Sequence, residues 1–213
     1  DWLSYRQACL LELLWHDGLA SCLGHDTCFS CQQKIHASWK CLDCIDGGLL
    51  RCRGCLLAAH ASHPLHRIEQ WNGFYFCRSS LREAGFHIQL GHDGAKCISP
   101  ISGTPAFTVT DLSGVHHVAV DFCDCRQNGI GPHHIQLLRA GWFPATFNRP
   151  KNAFTFCCLD FYHELTLQAK VNAYDFCHTV LRLTDRLELD QTPDHLSEFQ
   201  QAVRIWHHLL MLK

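Results

Sequence analysis

Three Cys-x-x-Cys pairs, Cys28/Cys31, Cys41/Cys44 and Cys52/Cys55, follow one another along the chain, and His60, His63 and His66 come directly after them. A Cys-x-x-Cys turn can aim both thiolates at one tetrahedral position, so each pair is half of a zinc site and two halves complete one. Short loops leave neighbouring halves to serve different ions, which gives an interleaved cross-brace. The first ion then takes Cys28, Cys31, Cys52 and Cys55, and the second takes Cys41 and Cys44 with two of the three histidines. The competing reading, six small buried apolar cysteines, fits poorly with three equal spacings in so short a stretch.

A third set can be assembled from His92, Cys97, Cys123 and Cys125. His92 follows one expected strand and the Cys-x-Cys pair ends another, so strands that neighbour in a sheet would bring the four ligands together. Cys-x-Cys is a looser zinc signature than Cys-x-x-Cys, and the alternative leaves Cys97 as a loop thiol and Cys123 as a core residue. The expected content is about three zinc ions per chain. Cys9, Cys22, Cys77, Cys157, Cys158 and Cys177 have no such partners and read as core or free thiols. His116-His117 and His133-His134 would point to opposite faces if extended, so neither pair chelates naturally.

Zinc catalysis needs three protein ligands and an open fourth position, whereas each set here fills all four. No cysteine sits in a recognisable nucleophile motif, and no glycine loop is built to cradle phosphate. The reading is therefore structural zinc, and the chain is not expected to be an enzyme by itself. A RING domain, the sharpest enzymatic competitor as a ubiquitin ligase, places a histidine among its middle ligands, but here all the histidines come last. That order is similar to a ZZ-type zinc finger, a peptide-binding module, and Trp71 shortly after His66 adds to the likeness.

Composition agrees with metal more than with disulfides. The chain has 15 cysteines, an odd number, and 17 histidines in 213 residues, and no signal peptide opens it. With 47% hydrophobic residues it can bury one or two cores. The net charge of -2 carries no general basic excess to drive nucleic-acid binding, so any such contact needs a local basic face. No apolar stretch is long enough to cross a bilayer, and no membrane partner is expected.

The fold class expected around these ligands is α+β: a zinc-organised cross-brace, then a small sheet domain, then a C-terminal helical part. Residues Leu3 to Trp15 place apolar side chains on one helical face and stop at Asp17-Gly18, a lead-in helix within residues 1–24. Residues 25–76 form the two-zinc module, where Cys and His spacing replaces hydrophobic periodicity and Gly47-Gly48 and Gly54 punctuate it. Residues 77–158 form a β-rich, zinc-containing domain with strands at Phe86 to Leu90, Phe107 to Val109 and Val118 to Phe122. Residues 159–213 are helical, with a capped start at Thr192-Pro193-Asp194 and Leu196, Phe199, Val203, Trp206 and Leu210 on one face. That helix meets no stop signal before Lys213, so the chain is expected to continue into a further domain.

Several short motifs occur in a recognisable order: Pro64-Leu65-His66-Arg67-Ile68-Glu69, Trp71-Asn72-Gly73, Leu90-Gly91-His92, Trp142-Phe143-Pro144-Ala145-Thr146, Ala153-Phe154-Thr155-Phe156 and Tyr174-Asp175-Phe176. Together they resemble the CxC2-like cysteine cluster region associated with fungal KDZ transposases, over nearly the whole chain. The resemblance implies His60 and His66 as the second ion's histidines, leaving His63 as a departure. It also implies that the stretch from Trp206 to Lys213 leads toward a transposase catalytic domain that lies beyond this chain.

Two functions follow as expectations. One is recognition of transposon DNA or chromatin in the nucleus, in the service of that catalytic domain of the same polypeptide, with Arg51, Arg53, Arg67, Arg139, Arg149 and Lys151 presented by zinc-fixed loops. The other is a ZZ-like interaction module that takes a basic peptide, such as a histone tail, against Asp43, Asp46 and Glu69.

Overall fold

The computed structural model describes residues 1–19, 22, 24, 27–34, 38–46, 48–92, 95–125, 130–185 and 194–213. They form two units, Asp1–Phe86 and His87–Lys213. Gly47 and the expected start at Thr192-Pro193 lie outside the described residues.

In the first unit the apolar periodicity of residues 3–15 does produce a helix, α1 (Arg6–Asp17), preceded by a short 3-10 turn. Its apolar face is not packed, and none of its residues is buried. The packed part is a three-stranded antiparallel sheet of β1 (Trp39–Cys41), β2 (Ile68–Trp71) and β3 (Phe76–Ser79), in that order, with the short helix α2 (Arg53–Ala59) against it. Leu56 of α2 is fully buried among Trp39, Cys41, Ile68 and Leu81. Full burial of one such leucine contributes about 2 kcal/mol, so this core is small and leaves much of the unit to be organised by other means.

The second unit has two sheets. A three-stranded one places β8 (Val120–Cys123) between β4 (Ile88–Gln89), parallel to it, and β5 (Pro100–Ser102), antiparallel. The strand expected over residues 86–90 is thus only two residues long, because Phe86 packs into the first unit's core and His87 turns toward Asp121. The other sheet runs in the order β7 (Gly114–His117), β6 (Thr108–Asp111), β10 (Asn152–Thr155), β9 (Trp142–Pro144). Helix α3 (His133–Arg139) lies between β8 and β9 in the chain, while α4 (Phe156–Gln168), α5 (Ala173–Thr184) and α6 (Leu196–Leu212) cover the four-stranded sheet.

Helical spacing in the last third of the sequence brings rings together. Phe199 contacts Phe154, Tyr162 and Phe176 at centroid separations of 5.3, 5.0 and 5.3 Å. Capping fixes the starts of α4 and α5, where Thr155 accepts from Cys158 N–H and Asn172 from Asp175 N–H; ahead of α6, whose N-cap is His195, Asp194 accepts from Leu196 N–H. The α+β class holds, with six α-helices and three small sheets among the described residues.

Candidate metal centres

Helix α2 is the strut of the first two centres. Cys52 is its N-cap, Cys55 lies in its first turn, and His60 is its C-cap. At 1.5 Å rise per residue, Cys55 and His60 stand roughly 7–8 Å apart along the axis, so one helix serves two separate sites. Cys28 and Cys31 come from a turn whose Phe29 N–H donates to Leu50 C=O, and the Cys52 N–H donates to Cys28 Sγ at 3.3 Å. The donor atoms of Cys28, Cys31, Cys52 and Cys55 all lie within 4.8 Å of one another.

The second set gathers Cys41 at the end of β1, Cys44, His60 and His66, again within 4.8 Å. Zinc with sulfur at about 2.3 Å and nitrogen at about 2.0–2.1 Å defines tetrahedral S···N edges of about 3.5 Å. Here Cys41 Sγ to His66 Nδ1, Cys44 Sγ to His66 Nδ1 and Cys44 Sγ to His60 Nε2 are each 3.5 Å. His60 is fully buried, and its Nδ1 donates to Leu56 C=O at 2.8 Å, which turns Nε2 inward and fixes the tautomer a ligand needs. His63 faces Ser62 instead, 3.0 Å from its hydroxyl, and is exposed.

An ion pair ties the two halves of this set. Arg67, next to His66, donates through its backbone N–H and its guanidinium to Asp43, inside the Cys41/Cys44 turn, at 2.6 Å in each case. Burial raises the Asp43 carboxyl, but the Arg67 bonds outweigh it and hold the group below its ordinary range. Burial lowers His66, favouring the neutral imidazole that can ligate.

The third set depends on sheet order. Parallel pairing of β4 with β8 puts both C-terminal ends at one edge, so His92 meets Cys123 and Cys125, and antiparallel β5 brings back Cys97. His92 Nε2 lies 3.1 Å from both Cys123 and Cys125 Sγ, and Cys97 and Cys123 Sγ are 3.1 Å apart. Gln136 of α3, 1% exposed, accepts from Cys123 N–H and donates to the Cys123 and Gly131 carbonyls.

Thiols this close cannot all ionise without a cation among them, and their titration is accordingly divided. Burial raises Cys97, but hydrogen bonds from Cys123, the Ser99 backbone and His92 bring it down to about 6. Burial, the Cys125 thiol and the Cys97 thiol push Cys123 up to about 12. In the first set burial raises Cys28, yet backbone hydrogen bonds from Cys31, Cys52 and Ser30 bring it to about 6, while the Cys52 side chain and burial push Cys55 up to about 12. Cys41 reaches about 12 through burial and the adjacent Cys44. Soft, closely spaced donors of this kind suit a tetrahedral thiophilic cation, and the three clusters could hold metal ions.

The basic residues are placed less openly than their spacing implied. Arg51 is buried and paired with Asp46, Arg53 donates to Ala84 C=O at 2.6 Å, and Arg67 is held by Asp43. Arg139 donates to Ile130 C=O, whereas Arg149 and Lys151 are exposed. The acids named for a peptide groove are spent on internal cations: Asp43 on Arg67, Asp46 on Arg51, and Glu69 on the buried Lys40 at 3.1 Å. Arg78 and Arg82, exposed on and after β3, were not singled out by sequence, since no motif marks them. Gln136 was missed too, because a glutamine between apolar neighbours looks like any surface residue.

Other histidines and cysteines take packing roles. His133 stacks on Phe122 at 4.1 Å and His134 meets the edge of Phe147. Ser113 lies 2.9 Å from Asp111 and 2.8 Å from His116, and its backbone N–H also donates to Asp111, a turn network between β6 and β7. Cys158 is fully buried, which pushes its thiol up, and Cys157 is exposed.

No helix among the described residues is long and apolar enough to cross a membrane. No curated protein and no solved structure shows significant similarity to the chain. A family model for the CxC2-like cysteine cluster associated with KDZ transposases matches residues 81–188. That span, half of the chain, contains all four residues of the third set and leaves the first two sets N-terminal to it. The chain belongs to the CxC2-like cysteine cluster family associated with KDZ transposases.

Proposed function

We propose that the chain is a zinc-organised, non-catalytic recognition module of a KDZ-type transposase, which contacts transposon DNA or chromatin in the nucleus and positions a separate catalytic domain of the same polypeptide. The observation that carries this reading is the closure of the three donor sets, each with four thiol or imidazole donors within 4.8 Å. Zinc in such a set has no open position for water or substrate, so its work is to hold loops. Cys28, Cys31, Cys52 and Cys55 hold the first ion, Cys41, Cys44, His60 and His66 the second, and His92, Cys97, Cys123 and Cys125 the third.

The transposase association of the family supports DNA over a peptide, and so does the internal pairing of Asp43, Asp46 and Glu69, which occupies the three acids that would have met a basic tail. Exposed Arg149 and Lys151 remain for phosphate contacts. Salt-dependent mobility shifts of the zinc-loaded chain on transposon-end duplexes, run beside binding to a histone-tail peptide, test the reading. Binding of DNA that weakens with salt supports it; binding of the peptide alone overturns it.

A further inference from the structure

Helices α4 and α6 each turn one histidine toward the other. The His163 and His207 rings meet edge to face with centroids 4.5 Å apart, and both side chains are half-buried. His163 Nδ1 and His207 Nε2 are shut off from solvent and have no hydrogen-bond partner among the described residues, so they do not bond to each other either. Next along the two helices, Trp206 Nε1 donates to Asp160 Oδ1 at 2.9 Å, and the Trp206 ring packs on Phe143 and Phe156, which fixes the seam at that level. Buried nitrogens without partners are uncommon and ask for a reason.

A neutral imidazole here keeps its one N–H on the outward nitrogen, where water accepts it, and leaves the inward nitrogen bare. A second proton puts a charge and an N–H without an acceptor into the seam. His207 is held below the ordinary imidazole range, first by burial and then by the His163 charge. Other charges on the packed elements are exposed or occupied. Asp160 accepts from Trp206, while Glu164 on α4 and Arg204 and His208 on α6 are exposed, and Glu198 accepts from Ser197. On α5, which packs on α6, Asp175, His178 and Arg182 are exposed. On β6, against α4, Asp111 is taken by Thr155 and Ser113, and β9 and β10 carry no titratable side chain. Burial keeps the protons of Cys158, Tyr162 and Cys177 in place.

We propose that His163 and His207 form a proton-sensitive latch between α4 and α6, closed while both rings are neutral and opened when His207 takes up a proton. The unfolded chain takes up this proton near pH 6.5 and the folded chain only below that, so the latch holds fully above pH 6.5 and weakens as pH falls through it. The latch is independent of what the chain recognises.

Hydrogen exchange of the α6 amides in the zinc-loaded chain tests this, as protection factors at about pH 7.5 and about pH 6, beside His207→Phe. Exclusion of one proton should lower protection in the unaltered chain by up to about fourfold more than in the variant over that interval. Phenylalanine keeps a ring in place without titrating, and both proteins carry the same donor sets, so acid effects on bound zinc cancel. Equal loss in the two proteins overturns the latch. A smaller loss in the unaltered chain, the mark of a proton shared between the rings, overturns it as well. If the variant does not fold, the ring signals of His207 in the unaltered chain decide: a titration midpoint below 6.5 is expected, and one at or above 6.5 overturns the latch.

Discussion

A β-carbon on Gly91 would lie 2.6 Å from the Cys123 β-carbon and 3.0 Å from Gln136 Oε1, and Gly91 itself takes φ +93°. The end of β4 can therefore approach Cys123 only as glycine, and this approach delivers His92 to the third donor set. Gly91→Ala combines left-handed strain with a clash against a backbone-anchored thiol, a destabilisation of about 1–3 kcal/mol. The expected result is loss of about one zinc per chain with the other two retained, read by metal analysis and thermal unfolding. Full zinc content would show that the approach is not needed.

Gln136 holds Cys123 without being a ligand. Gln136→Ala removes its bonds to both sides of the Cys123 backbone, so zinc affinity at the third set should fall by roughly 10- to 100-fold while the first two sets are unaffected. Competition with a chromophoric chelator reads this directly; an unchanged profile would make Gln136 a mere core residue.

Cys41→Ser should unfold the first unit, since its apolar core is small and, on the proposed ligand assignment, zinc would supply a large share of its folding free energy. Cys157→Ser, at an exposed thiol, should leave zinc content and melting temperature within error. Equal zinc loss from both variants would refute the ligand assignment.

Cys55, Cys41 and Cys123, one in each set, are pushed up to about 12 and so keep their protons at neutral pH. Zinc must displace those protons, so binding should release at least about one per ion, and affinity should rise with pH and fall on acidification. Calorimetry in buffers of different ionisation enthalpy measures the release. Zinc uptake with no proton release would contradict the donor assignment.

The gathering of the donor sets was legible because tetrahedral ligation would impose spacing: Cys-x-x-Cys repeats and terminal histidines place donors without knowledge of the core. The third set was legible for another reason, since parallel neighbours end at the same sheet edge. Distances along the chain said nothing of Arg51 and Arg67, whose partners Asp46 and Asp43 are set by how the cysteine loops fold back. Helix α1 was read correctly as a helix but not as an unpacked one, because periodicity reports an apolar face and not what covers it. Likewise Phe86, in an alternating stretch, left β4 for the first unit's core.

The central claim is that twelve cysteines and histidines in three closed sets hold three zinc ions. Metal analysis of the gel-filtered chain, with protein concentration from amino-acid analysis, measures it most directly. The account predicts about three zinc ions per chain, held through extensive dialysis. A value near one or zero would contradict it.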